Sequence, residues 1–188
     1  MLCQSCFSPC PGHICRRCRA DLRPAPERIL DGGIRLVAAF EHVGAARHLI
    51  HGLKYRGLTA YADLVVEIVA PRVPPLPIVP VPRAWTRQIS HGIDPARELG
   101  RRLARNLGVP LVDALAPPIH NRRRAGGDHS LPPSRFTNTR SIPGRFVLVD
   151  DVVTTGATVR SAANSLGFDQ IALVIAANAT DMVSSPQI

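Results

Sequence analysis

Two acids, Asp150 and Asp151, stand directly after the apolar run Phe146-Val147-Leu148-Val149, and Val152-Val153-Thr154-Thr155-Gly156-Ala157-Thr158 follows them. Carboxylates at the carboxyl end of a buried strand are placed to accept hydrogen bonds from a ribose diol, or to hold waters around Mg²⁺. A helix that begins near Thr155 to Thr158 offers unpaired N–H groups and the positive end of its dipole, which suit a phosphate. Gly156 lets the backbone come close, and Thr154, Thr155 and Thr158 add hydroxyl donors. A phosphate loop beside an acid pair implies a sugar phosphate.

The second reactive constellation is Cys3-x2-Cys6-x8-Cys15-x2-Cys18, in which four thiolates can surround one tetrahedral ion. Cys10 and His13 lie between the two knuckles and are alternative ligands. Four sulfurs close the coordination shell, so the expected metal is structural Zn²⁺. All five cysteines fall in the first 18 residues, unlike a secreted disulfide framework spread through a fold.

The elements that must position these groups follow from hydrophobic period and punctuation. Residues 1–26 are rich in Cys, Pro, Arg and Gly, have almost no aliphatic period, and need a metal staple to fold. After Pro24-Ala25-Pro26 the pattern alternates between strand-like and helix-like stretches, the mark of an α/β domain. Strands are expected at 34–40, 78–81, 111–112, 146–149 and 171–177. Helices are expected at 44–55, at 59–69, from the Asp94-Pro95 start to about Asn106 before Gly108, and from 155–158 to Gly167. Residues 117–145 lack a sustained apolar period and read as a long loop; 181–188 read as a tail.

The formal net charge is +9, with 23 Lys and Arg, among which Lys54 is the single lysine. That balance suits phosphate compounds, nucleic acid or acidic proteins. One Trp, two Tyr and five Phe leave few stacking platforms for single-stranded nucleic acid. No apolar run of about 18 residues and no cleavable leader is seen, so the expected location is the cytoplasm. His91, His120 and His129 are candidate acids or bases by type alone.

The run from Val147 to Thr158 resembles the phosphoribosyl-diphosphate motif of type I phosphoribosyltransferases. The resemblance implies ribose contacts for Asp150 and Asp151 and 5′-phosphate contacts for Thr154, Thr155, Gly156, Ala157 and Thr158. Joined to an N-terminal four-cysteine knuckle, to Gly52-Leu53-Lys54-Tyr55-Arg56-Gly57 and to Val79-Pro80-Val81-Pro82, it is similar to the ComF family, proteins related to competence and DNA uptake. That likeness implies an α/β, type I phosphoribosyltransferase-like fold with a mostly parallel central sheet over residues 27–180, preceded by a small four-cysteine zinc-binding module at 1–26. By position, Val81, Pro82 and Arg83 become candidates for the pyrophosphate loop, with Lys54 beside them. The implied ligands are Mg²⁺ and phosphoribosyl diphosphate or a related ribose phosphate. The other reading of the same family is a non-enzymatic DNA-processing module that binds single-stranded DNA or a helicase partner, with Arg122, Arg123 and Arg124 as nucleic-acid candidates. The chain departs from the family pattern at His91-Gly92-Ile93-Asp94-Pro95 and around Asp128.

Overall fold

A computed structural model describes residues 1–83, 93–116 and 136–180. Its organising element is strand β6, Phe146–Val153, whose first five residues are all buried. A continuous Phe-Val-Leu-Val run can be satisfied only between two covered faces, and that is where it lies. On one side β6 pairs in parallel with β7, Ile171–Ala179, in the register Leu148↔Val174 and Val149↔Ile175. On the other it pairs in parallel with β3, Ile78–Pro80, matching Val79 to Leu148.

β2, Ile34–Glu41, adds to the far side of β7 in parallel, and β1, Arg28–Leu30, closes that edge antiparallel to β2. The order β1-β2-β7-β6-β3 is therefore a mostly parallel five-stranded sheet. Strand periodicity splits its side chains between two cores. Val37, Ala39, Val147, Val149 and Ile175 pack beneath helices α2 (Gly44–Arg56), α3 (Ala60–Val69) and α4 (Pro95–Leu107). Leu36, Ala38, Phe146, Leu148 and Val174 meet α5 (Ala157–Leu166) on the opposite face.

The helix ends obey local chemistry. Asp94 caps α4 by accepting from the Arg97 N–H at 3.1 Å, Pro95 fills the first turn, and Gly108 ends the helix at φ 66°. Loss of such a cap costs about 1 kcal/mol.

Several expectations need correction. β6 does not stop at the acids: Val152 and Val153 still pair with Asn178 and Ala179. Leu111 and Val112 form no strand of their own; Leu111 makes an isolated parallel bridge to Ile78, and the Val112 N–H donates to the Ile78 carbonyl. Within the expected long loop, β5 (Thr137–Asn138) pairs with β4 (Leu115–Ala116), and Phe136 and Ile142 are buried. Residues 117–135 lie outside the described residues, as do 84–92 and 181–188. β1 has no counterpart among the expected strands; residues 23–25 already run along β2, with the Ala25 N–H donating to Ala39 and the Glu41 N–H to Arg23. Among the described residues no helix is long and apolar enough to cross a membrane.

Candidate functional site

Successive strand residues face opposite sides of a sheet, so the two acids of β6 enter different surroundings. Asp150 is buried. Desolvation, and then the negative charge of Asp151, push its carboxyl up to about 8, so a proton resides there at neutral pH. Asp151 turns toward α2 and the end of β3. There the Lys54 ammonium approaches its Oδ2 at 3.0 Å and the Arg83 guanidinium at 3.5 Å.

Those two cations come from well-separated places in the sequence, and both are largely covered, at 19% and 12% side-chain exposure. Lys54 is in the last turn of α2. Arg83 follows Val81, whose N–H continues the strand ladder to the Val149 carbonyl at 2.8 Å. The Arg83 backbone N–H is held by the second oxygen of Asp94 at 3.0 Å, so the cap of α4 also fixes the end of β3. One guanidinium nitrogen of Arg83, Nη1, is buried with no hydrogen-bond partner among the described residues. Such an orphaned charged donor favours an anionic oxygen.

Beyond Val153 the chain turns through Thr154, Thr155 and Gly156 into α5. Gly156 has φ 76°, a left-handed conformation that a side chain would resist by about 1–2 kcal/mol. Gly156, at the N-cap of α5, has no side chain to offer it. The Ala157 N–H leans on the Thr155 hydroxyl at 3.4 Å, and Thr154, Thr155 and Thr158 are exposed. The result is a helix N-terminus ringed by hydroxyls and open to an anion.

The turn is braced from the β1–β2 side. Arg28 donates to the carbonyls of Thr154 and Thr180, at 3.2 and 3.0 Å, while Arg160 joins the Thr155 carbonyl to Asp31. These supports escaped the sequence reading because Arg28 lies 126 residues from Thr154, with no local spacing to announce the contact.

A third polar group stands at the carboxyl ends of β2 and β7. Asn178 and Tyr61 are wholly buried. The Tyr61 hydroxyl donates to Asn178 Oδ1, and Asn178 Nδ2 donates to the Glu41 carbonyl at 3.2 Å and meets His42 Nδ1 at 3.5 Å. Burial raises the Tyr61 pKa, so its hydroxyl keeps its proton. Burial lowers the pKa of His42, with help from the positive charges of Lys54 and Arg47 and opposition from Asp151.

At the other end of the chain, the Sγ atoms of Cys3, Cys6, Cys15 and Cys18 lie within 4.8 Å of one another, and Cys6 and Cys15 are 3.7 Å apart. Sulfurs at about 2.3 Å from a tetrahedral ion would be separated by about 3.8 Å, so these four cysteines can hold a metal. Backbone N–H groups point at the sulfurs: Cys15 donates to Cys3 at 3.3 Å, and Cys18 to Cys15 at 3.5 Å. Cys6 is lowered to about 6 by the Ser8 hydroxyl and N–H, whereas burial raises Cys18 to about 12. Cys10 stands outside the quartet and donates to the Gly12 carbonyl. His13 is not among the four either.

Short helix α1, Arg16–Ala20, carries the second knuckle, and Asp21 after it caps α2 through the Ala45 N–H at 2.7 Å. A Cβ on Gly44 would collide with that carboxylate, which explains the glycine at the start of α2.

The structure thus brings Asp151, Lys54 and Arg83 together, sets Val81 and Pro82 at the end of β3, and gathers four of the five cysteines. Arg122, Arg123, Arg124, His91, His120 and His129 lie outside the described residues. Compared with protein-family models and with curated proteins, the chain gives no match.

Proposed function

We propose that the chain is a ComF-like protein of phosphoribosyltransferase type, which binds Mg²⁺ with phosphoribosyl diphosphate or a related ribose phosphate and passes the phosphoribosyl group to an acceptor. The observation that carries this reading is the meeting of the Asp150–Asp151 pair with Lys54, Arg83 and the open N-terminus of α5 at one edge of the sheet.

The roles follow from charge. The α5 N-terminus and Thr154, Thr155 and Thr158 bind the 5′-phosphate with N–H and hydroxyl donors. Asp150 and Asp151 accept from the ribose hydroxyls. Lys54 and Arg83 exchange the Asp151 carboxylate for diphosphate oxygens, and Nη1 of Arg83, without a partner among the described residues, gains an anionic one. The Asp151 carboxylate offers hard oxygens that suit Mg²⁺, whose positive charge would favour the ionised form of Asp150 and would neutralise charge on the diphosphate. An acceptor attacks the anomeric carbon as the C–O bond to pyrophosphate breaks, and the bonding pair leaves with pyrophosphate. Positioning and charge neutralisation supply the catalysis. In the N-terminal module, the sulfur spacing supports a four-thiolate structural zinc.

The test is thermal stability with Mg²⁺ and phosphoribosyl diphosphate, in wild type and in the double variant Asp150→Asn/Asp151→Asn. Ligand at about 100 dissociation constants stabilises by about 2.7 kcal/mol, a shift of several degrees. A Mg²⁺-dependent shift confined to wild type is expected. No shift at millimolar ligand would reject the ribose-phosphate reading and favour the DNA-processing alternative, whose own signature is salt-sensitive binding to single-stranded DNA.

A further inference from the structure

The sheet order decides where an acceptor can stand, if the ribose phosphate binds as proposed above. Across the carboxyl edge the strands run β3, β6, β7, β2, with Arg83 beyond β3, the acid pair on β6 and His42 immediately after β2. Displacement at the anomeric carbon needs nucleophile and leaving group on opposite sides. With diphosphate drawn to Arg83, Lys54 reaching it from the end of α2, and ribose over β6, the acceptor is left the ends of β7 and β2. Adjacent strands are spaced about 4.8 Å, so β2 lies about 10 Å from β6, a span that fits one heterocyclic ring and its contacts.

His42 is fixed there by its backbone, since its N–H donates to the Ala179 carbonyl at 3.0 Å. Its side chain is fixed by a buried relay. The Glu41 carbonyl can only accept, so the Asn178 amide must turn Nδ2 toward it, which leaves Oδ1 for the Tyr61 hydroxyl. Nδ2 is a donor only; the His42 Nδ1 that it meets at 3.5 Å is therefore the unprotonated nitrogen. The neutral ring then carries its proton on Nε2. Burial and the nearby Lys54 and Arg47 charges keep the ring neutral, and Asp151 is too weak an opponent to reverse them.

We propose that His42 is a specificity-determining hydrogen-bond donor on the acceptor side of the ribose-phosphate site, its Nε2–H binding a carbonyl oxygen or unprotonated ring nitrogen of the incoming heterocycle. Asn178 is a positioning residue, acting through the tautomer of His42. A neutral donor discriminates by leaving itself unpaired against an acceptor that lacks the matching lone pair, where burial makes the loss costly.

The experiment is NMR of ¹⁵N-imidazole-labelled full-length protein loaded with Mg²⁺ and phosphoribosyl diphosphate, titrated with uracil and hypoxanthine. His42 is expected as the Nε2–H tautomer, with its Nε2 signal moved by at least one probe. The affinity of that probe should fall at least tenfold in His42→Leu and recover largely in His42→Gln, which keeps an N–H donor. In Asn178→Leu, which removes the donor facing Nδ1, the Nδ1–H form should appear, whereas Tyr61→Phe, which leaves the Glu41 carbonyl to orient the amide, should keep the Nε2–H form. An Nδ1–H tautomer in wild type, equal probe affinity in His42→Leu, or an Nε2 signal that neither probe moves would overturn the assignment. Failure of wild type to bind Mg²⁺–phosphoribosyl diphosphate would bring down the ribose-phosphate reading as well. Binding with His42 unperturbed would bring down this inference alone.

Discussion

The thiol cluster and the carboxyl edge of the sheet are both announced by short motifs, yet they are held in opposite ways. Around the cysteines the packed interior amounts to Cys3, Cys18 and Ala45, with Ile14 and Leu22 leaning on it. The acid pair instead ends a strand clamped between two extensive cores. The thiol cluster, which can hold a metal, would gain its cohesion through ligand bonds; the acid pair inherits rigidity from the cores around it. Removing a ligand should therefore dismantle the first, while removing a charge should relax the second.

The largest expected effect follows from that contrast. Structural zinc sites contribute roughly 10–16 kcal/mol of apparent binding energy, more than so small a cluster gains by packing. Chelation, or Cys15→Ser, should abolish amide protection across residues 1–22 in hydrogen exchange while strands β6 and β7 stay protected. Equal loss in both regions would erase the distinction between ligand-held and core-held parts. Within the sheet, Phe146→Ala should cost about 3–5 kcal/mol in denaturant unfolding, because the ring is fully buried.

Asp150 sharpens the comparison through pH. Its carboxyl titrates near 3.8 in a solvated chain and at about 8 in the fold, so between those values the folded state holds a proton that the unfolded state has lost. Stability without divalent cations is then highest below the lower value, falls as pH rises, and levels off above about 8. Asp150→Asn should flatten that slope and raise the melting temperature at about pH 8. An unchanged slope between about pH 5 and 8 would show that Asp150 is ionised in the fold.

Lys54 and Arg83 share one carboxylate, so neither alone should matter as much as both. Lys54→Met and Arg83→Met should each lower stability by about 1 kcal/mol or less. The double variant should lose more than their sum, because only then is Asp151 left without a cation. Additive losses would mean that the two cations act independently. The smallest effect is expected at Arg160→Ala, about 0.5 kcal/mol, since its partner Asp31 is exposed.

Much of this architecture was legible from local rules. The apolar run before Asp150, the Asp94-Pro95 start, Gly108 and the cysteine spacing all state their conformations within a few residues. What stayed hidden depends on partners distant in sequence. β1 has three residues and acquires its identity only by pairing with β2. The extension of β6 through Val153 needs Asn178 and Ala179 beside it, against the expectation that two acids end a strand. His42 was overlooked because its chemistry is set by Asn178, while the histidines singled out by type lie elsewhere in the chain. Lys54 was named by its rarity and its family-like surroundings; that it reaches Asp151 is a property of the folded chain.

Helix α2 touches the N-terminal module near both of its ends. Asp21 caps its first turn, and in its last turn Arg56 lies over the Phe7 ring at 5.1 Å, two residues from Lys54. Thirteen residues make a rod about 20 Å long. A rod gripped in this way would make the four-cysteine module, once a metal is bound, a splint for Lys54. Linkage works in both directions: if metal and the proposed anion both bind, then to the extent that the splint sets the lysine's pose their affinities change by the same factor, each reporting on the other.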